Sequence, residues 1–236
     1  MTAPPQTIVI VNLMIGQAYQ KKKRMASKKI HFLLDTYAET RYHRGMAYTN
    51  DTGYPSVTQV LRPWVDTSWF TAESRARGTA VHDAVAQYLG GRPAFMVSLQ
   101  PNWRGYFNSA RWWIDAHVAD VLMAEVRLQD DQWRYCGQPD LVARLRDGSI
   151  ALVDWKTGAA ARWHQLQIAG YRHLAKGAGV TTSRGMTIRL RDDGSAPLVD
   201  EHARNHEQDL NRLLGAVGLW WFFHPKRKEV KGEVED

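Results

Sequence analysis

The pattern of apolar and polar positions changes period once along this chain, separating a helical stretch from a stranded one. Regular signals begin near Pro55-Ser56-Val57-Thr58-Gln59. Ser56 with Gln59 three residues later is a capping-box pattern and predicts a short helix through Leu61. A second helix is expected from about Ala72 to Leu89, capped by Thr71 and stopped by Gly90-Gly91. A third is expected from Trp103 to Ala116.

The middle of the chain reads as strands over Val121–Leu128, Gln132–Arg146 and Ser149–Trp155. Asp147-Gly148 joins the last two as a hairpin turn. Ser149–Trp155 is apolar on both faces, which marks a central strand. A helix from about Trp163 to Lys176, a strand near Met186–Arg191 and an amphipathic helix from about Ala203 to Phe223 complete the pattern. Helices followed by β-β-β-α-β and a helix close as an α/β (α+β) fold, a mixed sheet flanked by helices with a helical N-terminal part.

Residues 1–29 differ from the rest. Pro4-Pro5, a short β-branched run and Lys21-Lys22-Lys23-Arg24 suggest a basic, poorly tied arm, and Met25 could itself be a translation start. The expected organisation is this arm, one domain over 30–224 and a charged tail over 225–236. Within the domain, a helical part covers about 55–118, a core about 119–192 and a last helix about 203–223.

Charge and cysteine content narrow the classes. The 236 residues carry Lys+Arg 31 against Asp+Glu 24, a net +7 that suits a polyanionic partner. One cysteine, Cys136, can build neither a disulfide framework nor a four-cysteine iron–sulfur or zinc site, so a reducing compartment is the simplest reading. The apolar run 8–15 is too short to span a bilayer and lacks the flanks of a signal peptide, so no membrane partner is expected.

The chemistry concentrates at Gly137-Gln138-Pro139-Asp140 and Val153-Asp154-Trp155-Lys156-Thr157-Gly158. Side chains alternate along a strand, so Asp154 and Lys156 share a face with Trp155 opposite. Both are costly at the end of an apolar strand unless paired or metal-bound. Pro139 should bend its strand and turn Asp140 towards Asp154. Converging aspartates repel unless a cation lies between them, and oxygen ligands select magnesium or manganese. Such a set activates water against a phosphodiester, with Lys156 orienting the water or easing its deprotonation. Downstream, His164, Gln167 and Tyr171 form one helical stripe, which could equally face a ligand or solvent. Trp64 and Trp69 are the better candidates for base stacking, whereas Trp112, Trp113, Trp220 and Trp221 fit packing roles.

Taken in order, Gly78-Thr79-Ala80-Val81-His82, Glu125, Gly137-x-Pro139-Asp140, Asp154-x-Lys156-Thr157-Gly158 and Gln167-x-x-x-Tyr171 resemble the RecB-like exonuclease branch of the PD-(D/E)XK nuclease superfamily. The resemblance covers roughly 55–180 and implies a restriction-endonuclease-like core using one or two magnesium or manganese ions. It implies Asp140, Asp154 and His82 as metal ligands and Lys156 as the catalytic lysine. Glu125 would bind metal or hold a metal-bound water, and Gln167 and Tyr171 would line the DNA path. His164 and Arg75 join them as expected DNA contacts, and Arg62, Arg77 and Arg104 are further candidates for phosphate contact. Aspartate stands where the pattern often has glutamate as second carboxylate, and the cysteine cluster of some relatives is missing, so no iron–sulfur cluster is expected.

The expectation is thus a metal-dependent DNA exonuclease acting on single-stranded ends, in recombination, repair or phage replication. It would be cytoplasmic, or phage-encoded and acting in a host cytoplasm, with a mitochondrial location left open. The rivals are a structure- or site-specific endonuclease and a non-catalytic nucleic-acid-binding protein.

Overall fold

The computed structural model describes residues 53–68, 70–202 and 204–225. The basic arm over 1–29, the domain start at 30, Trp69 and all but the first residue of the charged tail lie outside these residues.

The helical part forms as its caps dictate. In α1 (Val57–Leu61) the Gln59 amide donates to Ser56 Oγ at 3.1 Å, and the Ser56 amide donates to Gln59 Oε1 at 2.8 Å. Two orphan donors are thereby satisfied. A 3₁₀ turn, Arg62–Trp64, leads out of it. Helix α2 (Ala72–Leu89) begins where Thr71 Oγ1 accepts from the Ser74 amide at 3.0 Å, and α3 is Arg104–His117.

The main sheet has the order β1-β4-β5-β6-β7, with β1 at Val118–Ala124, β4 at Leu141–Leu145, β5 at Ile150–Lys156, β6 at Arg184–Arg189 and β7 at Leu198–Glu201. Only the β5–β6 pair is parallel, and α4 (His164–Gly177) is its crossover. The β4–β5 hairpin turns at Asp147-Gly148, where Gly148 takes φ +87 and Asp147 Oδ1 accepts from the Ser149 amide at 2.8 Å. Helix α5 (His206–Phe223) closes the fold. This is the mixed sheet flanked by helices, with a helical part before it, that the pattern predicts.

Two expected strands are each cut in two. The stretch 121–128 is β1 followed by β2 (Leu128–Asp130), and 132–146 is β3 (Tyr135–Gly137) followed by β4. The outer pieces β2 and β3 pair with each other in a separate ribbon. The breaks face each other. Pro139 cannot donate to a ladder, and Glu125 takes φ +55 while its amide donates to the Asp140 carbonyl at 3.1 Å. The unexpected strand is β7, four mostly exposed residues with no apolar alternation to announce them. Ion pairs from Arg184 to Glu201 and from Arg189 to Asp200 fasten it to β6.

The two faces of β5 feed two cores. Ala151, Val153 and Trp155 pack with Val81, Phe107 and Trp113, the Trp155 and Trp113 rings meeting edge-on at 5.7 Å. Leu152 packs on the other side with Ile168, Tyr171, Leu174 and Leu213. Among the described residues, no helix is long and apolar enough to cross a membrane.

Candidate active site

The site forms where the β4–β5 ladder ends. Its last regular pair is Leu141 with Val153. One residue further, the side chain of Asp140 takes over the ladder's role, its Oδ2 accepting from the Trp155 amide at 2.7 Å. The other oxygen, Oδ1, lies 3.1 Å from His82 Nδ1. Asp140 is 6 % exposed, so both oxygens are fixed in a dry setting. The residue at 137 must be glycine, because a Cβ there would lie 2.6 Å from Cε1 of Tyr171. Its absence lets α4 lie directly over the strand break.

Glu125 enters from the facing break. It is 9 % exposed, and its Oε2 accepts from Gln138 Nε2 at 2.5 Å. A left-handed backbone is uncommon and costly for a residue with a Cβ, and such strain collects at functional sites. Donor atoms of His82, Glu125 and Asp140 all lie within 4.8 Å of one another. Burial works against charging His82, but Asp140 chiefly, then Asp154 and Glu125, raise its pKa to about 9. The imidazole thus senses a concentrated negative field.

Asp154 stands beside this trio on β5, 2 % exposed. Burial raises its pKa, Lys156 opposes that rise and Asp140 adds to it. Lys156 Nζ is 2.5 Å from Asp154 Oδ2 and donates to Gln167 Oε1 at 2.9 Å. Gln167 Nε2 in turn donates to the Tyr171 hydroxyl at 3.1 Å. Burial, reinforced by Asp154, keeps that hydroxyl well above its ordinary pKa and hence neutral. Gln167 of α4 therefore holds the lysine and is itself held by Tyr171, one turn of helix further on.

The expected residues are distributed unevenly. His82, Glu125, Asp140, Asp154, Lys156, Gln167 and Tyr171 form one connected group. His164 is buried, its Nδ1 accepting from the Ala161 amide at 3.3 Å, so it fixes the approach to α4 rather than presenting a polar edge to solvent. Arg75 is exposed at the start of α2, its guanidinium donating to the Phe70 carbonyl at 2.7 Å.

Two contributors take roles that the sequence did not announce. Gln138 sits inside the Gly-Gln-Pro-Asp stretch as a spacer, yet it holds Glu125. Arg77 donates to the Thr157 carbonyl at 3.2 Å and lies 5.1 Å from the Tyr106 ring centre, tying α2 to the end of β5. The signal for Gln138 was a polar side chain between Gly and Pro at a point with no ladder partner. Arg77 is expected only as a phosphate contact, since an arginine on an outer helix gives no sign of a carbonyl partner 80 residues away.

The donor set suits a divalent cation. Two carboxylates and one imidazole, held close together with their repulsion only partly offset, are ligand chemistry compatible with a divalent metal ion. Glu125, Asp140 and His82 would hold the ion, with Asp154 adjoining.

No family model matches the chain, and no curated protein matches it. Among solved structures, the chain is similar to SSO0001 at 12 % identity, covering 85 % of this chain and 86 % of that one with a TM-score of 0.37. It is also similar to an exonuclease candidate from Eubacterium rectale at 11 % identity, covering 74 % and 88 % with a TM-score of 0.42.

Proposed function

We propose that this chain is a divalent-metal-dependent nuclease that hydrolyses DNA phosphodiesters, acting from single-stranded ends. One observation carries the reading: His82, Glu125 and Asp140 converge within 4.8 Å beside a lysine held by Asp154 and Gln167. Carboxylates alone would suggest cation storage, and a lysine alone would suggest anion binding. Together they provide a cation seat with a proton-bearing donor beside it, which suits water attack on a phosphate.

A bound ion would supply charge neutralisation at the scissile phosphate and a more acidic water. The protein's own groups do the rest. Asp140 is fixed by the Trp155 amide and Glu125 by Gln138, so neither carboxylate needs reordering when substrate arrives. Lys156, its side chain 17 % exposed, directs an ammonium into the site to orient the attacking water or steady a phosphate oxygen. The net charge of +7 favours approach of a polyanion.

The test is end-labelled linear DNA beside covalently closed single-stranded circles, with magnesium and manganese in turn and EDTA as control. Metal-dependent loss of the linear species with circles intact is expected. Rapid linearisation of circles would overturn the end dependence, and no cleavage with any metal would overturn the nuclease reading.

A further inference from the structure

Beside the site lies a groove of about 370 Å³ bounded by α1 and its 3₁₀ turn, the start of α4 and the middle of α5. Its lining includes Trp64, Trp163, Leu166, Arg212, Gly215 and Leu219. We infer that this groove seats one unpaired nucleobase of the strand being cut, stacked against Trp64; this rests on the nuclease reading above.

Three observations point to that occupant. First, the groove shares a wall with the site. Trp163 lines it, and the Lys156 ammonium lies 5.2 Å from the centre of the same indole. A strand whose phosphate meets Lys156 has its neighbouring base within reach of that ring. Second, Trp64 is 58 % exposed although it sits on a rigid turn set by Pro63. A large aromatic held in water at the mouth of a groove offers its face to a partner, and every base has a π-face to match it.

Third, the charges around the groove favour an anion. Arg212 is the one charged lining residue, anchored to buried Asp209 at 2.8 Å and half-exposed beyond it. Arg62 is exposed on the same turn as Trp64, and the Lys156 ammonium lies close to the ring of Trp163. An apolar floor with cations at its edges fits a base with its phosphates outside. It fits a second copy of this chain poorly, since two basic rims on a molecule of net charge +7 would repel. The volume falls within the range of roughly 300–1,000 Å³ common for small-ligand sites.

Gly215 provides a way to close the groove without disturbing the fold, because a Cβ there meets no atom within 4 Å. The probe is a fluorescein-labelled single-stranded oligodeoxynucleotide, intact or with one abasic position moved along it, in EDTA so that no cleavage occurs. In the wild-type chain one abasic position is expected to weaken binding by about tenfold, as loss of one base–aromatic stack does. Trp64→Ala and Gly215→Leu should weaken the intact strand similarly and abolish the abasic penalty, while Gly215→Ala keeps both.

An abasic penalty at no position, or one unchanged in Trp64→Ala and Gly215→Leu, overturns the inference. If the wild type cleaves DNA and these variants match it in binding, the groove reading falls and the nuclease reading stands. If the wild type never cleaves but the variants lose oligonucleotide affinity, the groove reading stands without the nuclease one. A dimer that Gly215→Leu dissociates, with oligonucleotide affinity unaltered, assigns the groove to a second copy and overturns the inference.

Discussion

The Trp155 amide donates to Asp140 Oδ2 at 2.7 Å, so the carboxylate that faces His82 also completes the hydrogen bonding of the central strand. A side chain replaces backbone where Pro139 has ended the ladder. The same residue is therefore a structural and a functional element, and the two roles separate by substitution.

Asp140→Asn keeps an acceptor for the Trp155 amide but removes the charge, whereas Asp140→Ala removes both. An orphaned buried amide costs roughly 1–3 kcal/mol. Urea denaturation in EDTA should therefore find Asp140→Ala less stable than Asp140→Asn by about that much. Metal-dependent cleavage should be lost in both. Equal stabilities would mean that the amide finds another partner and that Asp140 is not holding the strand end.

Lys156 offers a different separation. Lys156→Met removes the proton-bearing group but leaves His82, Glu125 and Asp140 in place, so cleavage should fall by about 10²–10⁴-fold with metal affinity kept. Gln167→Ala only loosens the ammonium, and a smaller loss of about tenfold is expected, carried by the rate rather than by substrate affinity. Single-turnover assays at saturating DNA check both. A Gln167→Ala defect confined to binding would show that the glutamine touches substrate instead of positioning Lys156.

How far the sequence was legible depends on what kind of interaction set each feature. Ser56, Thr71 and Asp147-Gly148 act on residues two or three away, and the two helix starts and the turn they announce formed within a residue or two of the expected positions. The alternation around Trp155 likewise placed Asp154 and Lys156 on one face. The strand breaks were only half legible. Pro139 announces one, but Glu125 carries no local mark of a left-handed backbone; its partner Asp140 is fifteen residues away in the chain. Strand β7 owes its place to arginines on β6, a tertiary cause that no window of sequence shows. Gln138 follows the same logic: its role exists only once Glu125 is folded against it.

Glu125 itself gives a test of strain against function. Glu125→Ala removes the carboxylate and keeps a Cβ at φ +55, while Glu125→Gly removes both the carboxylate and the steric cost. The left-handed conformation costs an L-residue about 1–2 kcal/mol. Part of that gain is offset by glycine's greater freedom when unfolded. Thermal denaturation should thus rank Glu125→Gly at or above Glu125→Ala, with cleavage impaired in both. A clearly less stable glycine variant would show that the positive φ carries no strain here.

His164 contributes a pH dependence that belongs to the fold rather than to the metal ligands. Burial first, then the charges of Lys156 and His202, lower its pKa from the ordinary 6.5 to about 3. In the unfolded chain the ring takes up a proton near 6.5, whereas in the folded chain it stays neutral until much lower pH. Its contribution is therefore fully present above pH 6.5 and is lost progressively as pH falls from there towards 3. The slope of that loss is at most about 1.4 kcal/mol per pH unit. His164→Gln removes the titrating group, so the stability difference between wild type and variant should shrink as pH is lowered from 7 to 4, measured by urea midpoints at each pH. A difference that stays constant across that range would place His164 in contact with solvent and contradict its buried position beneath the approach to α4.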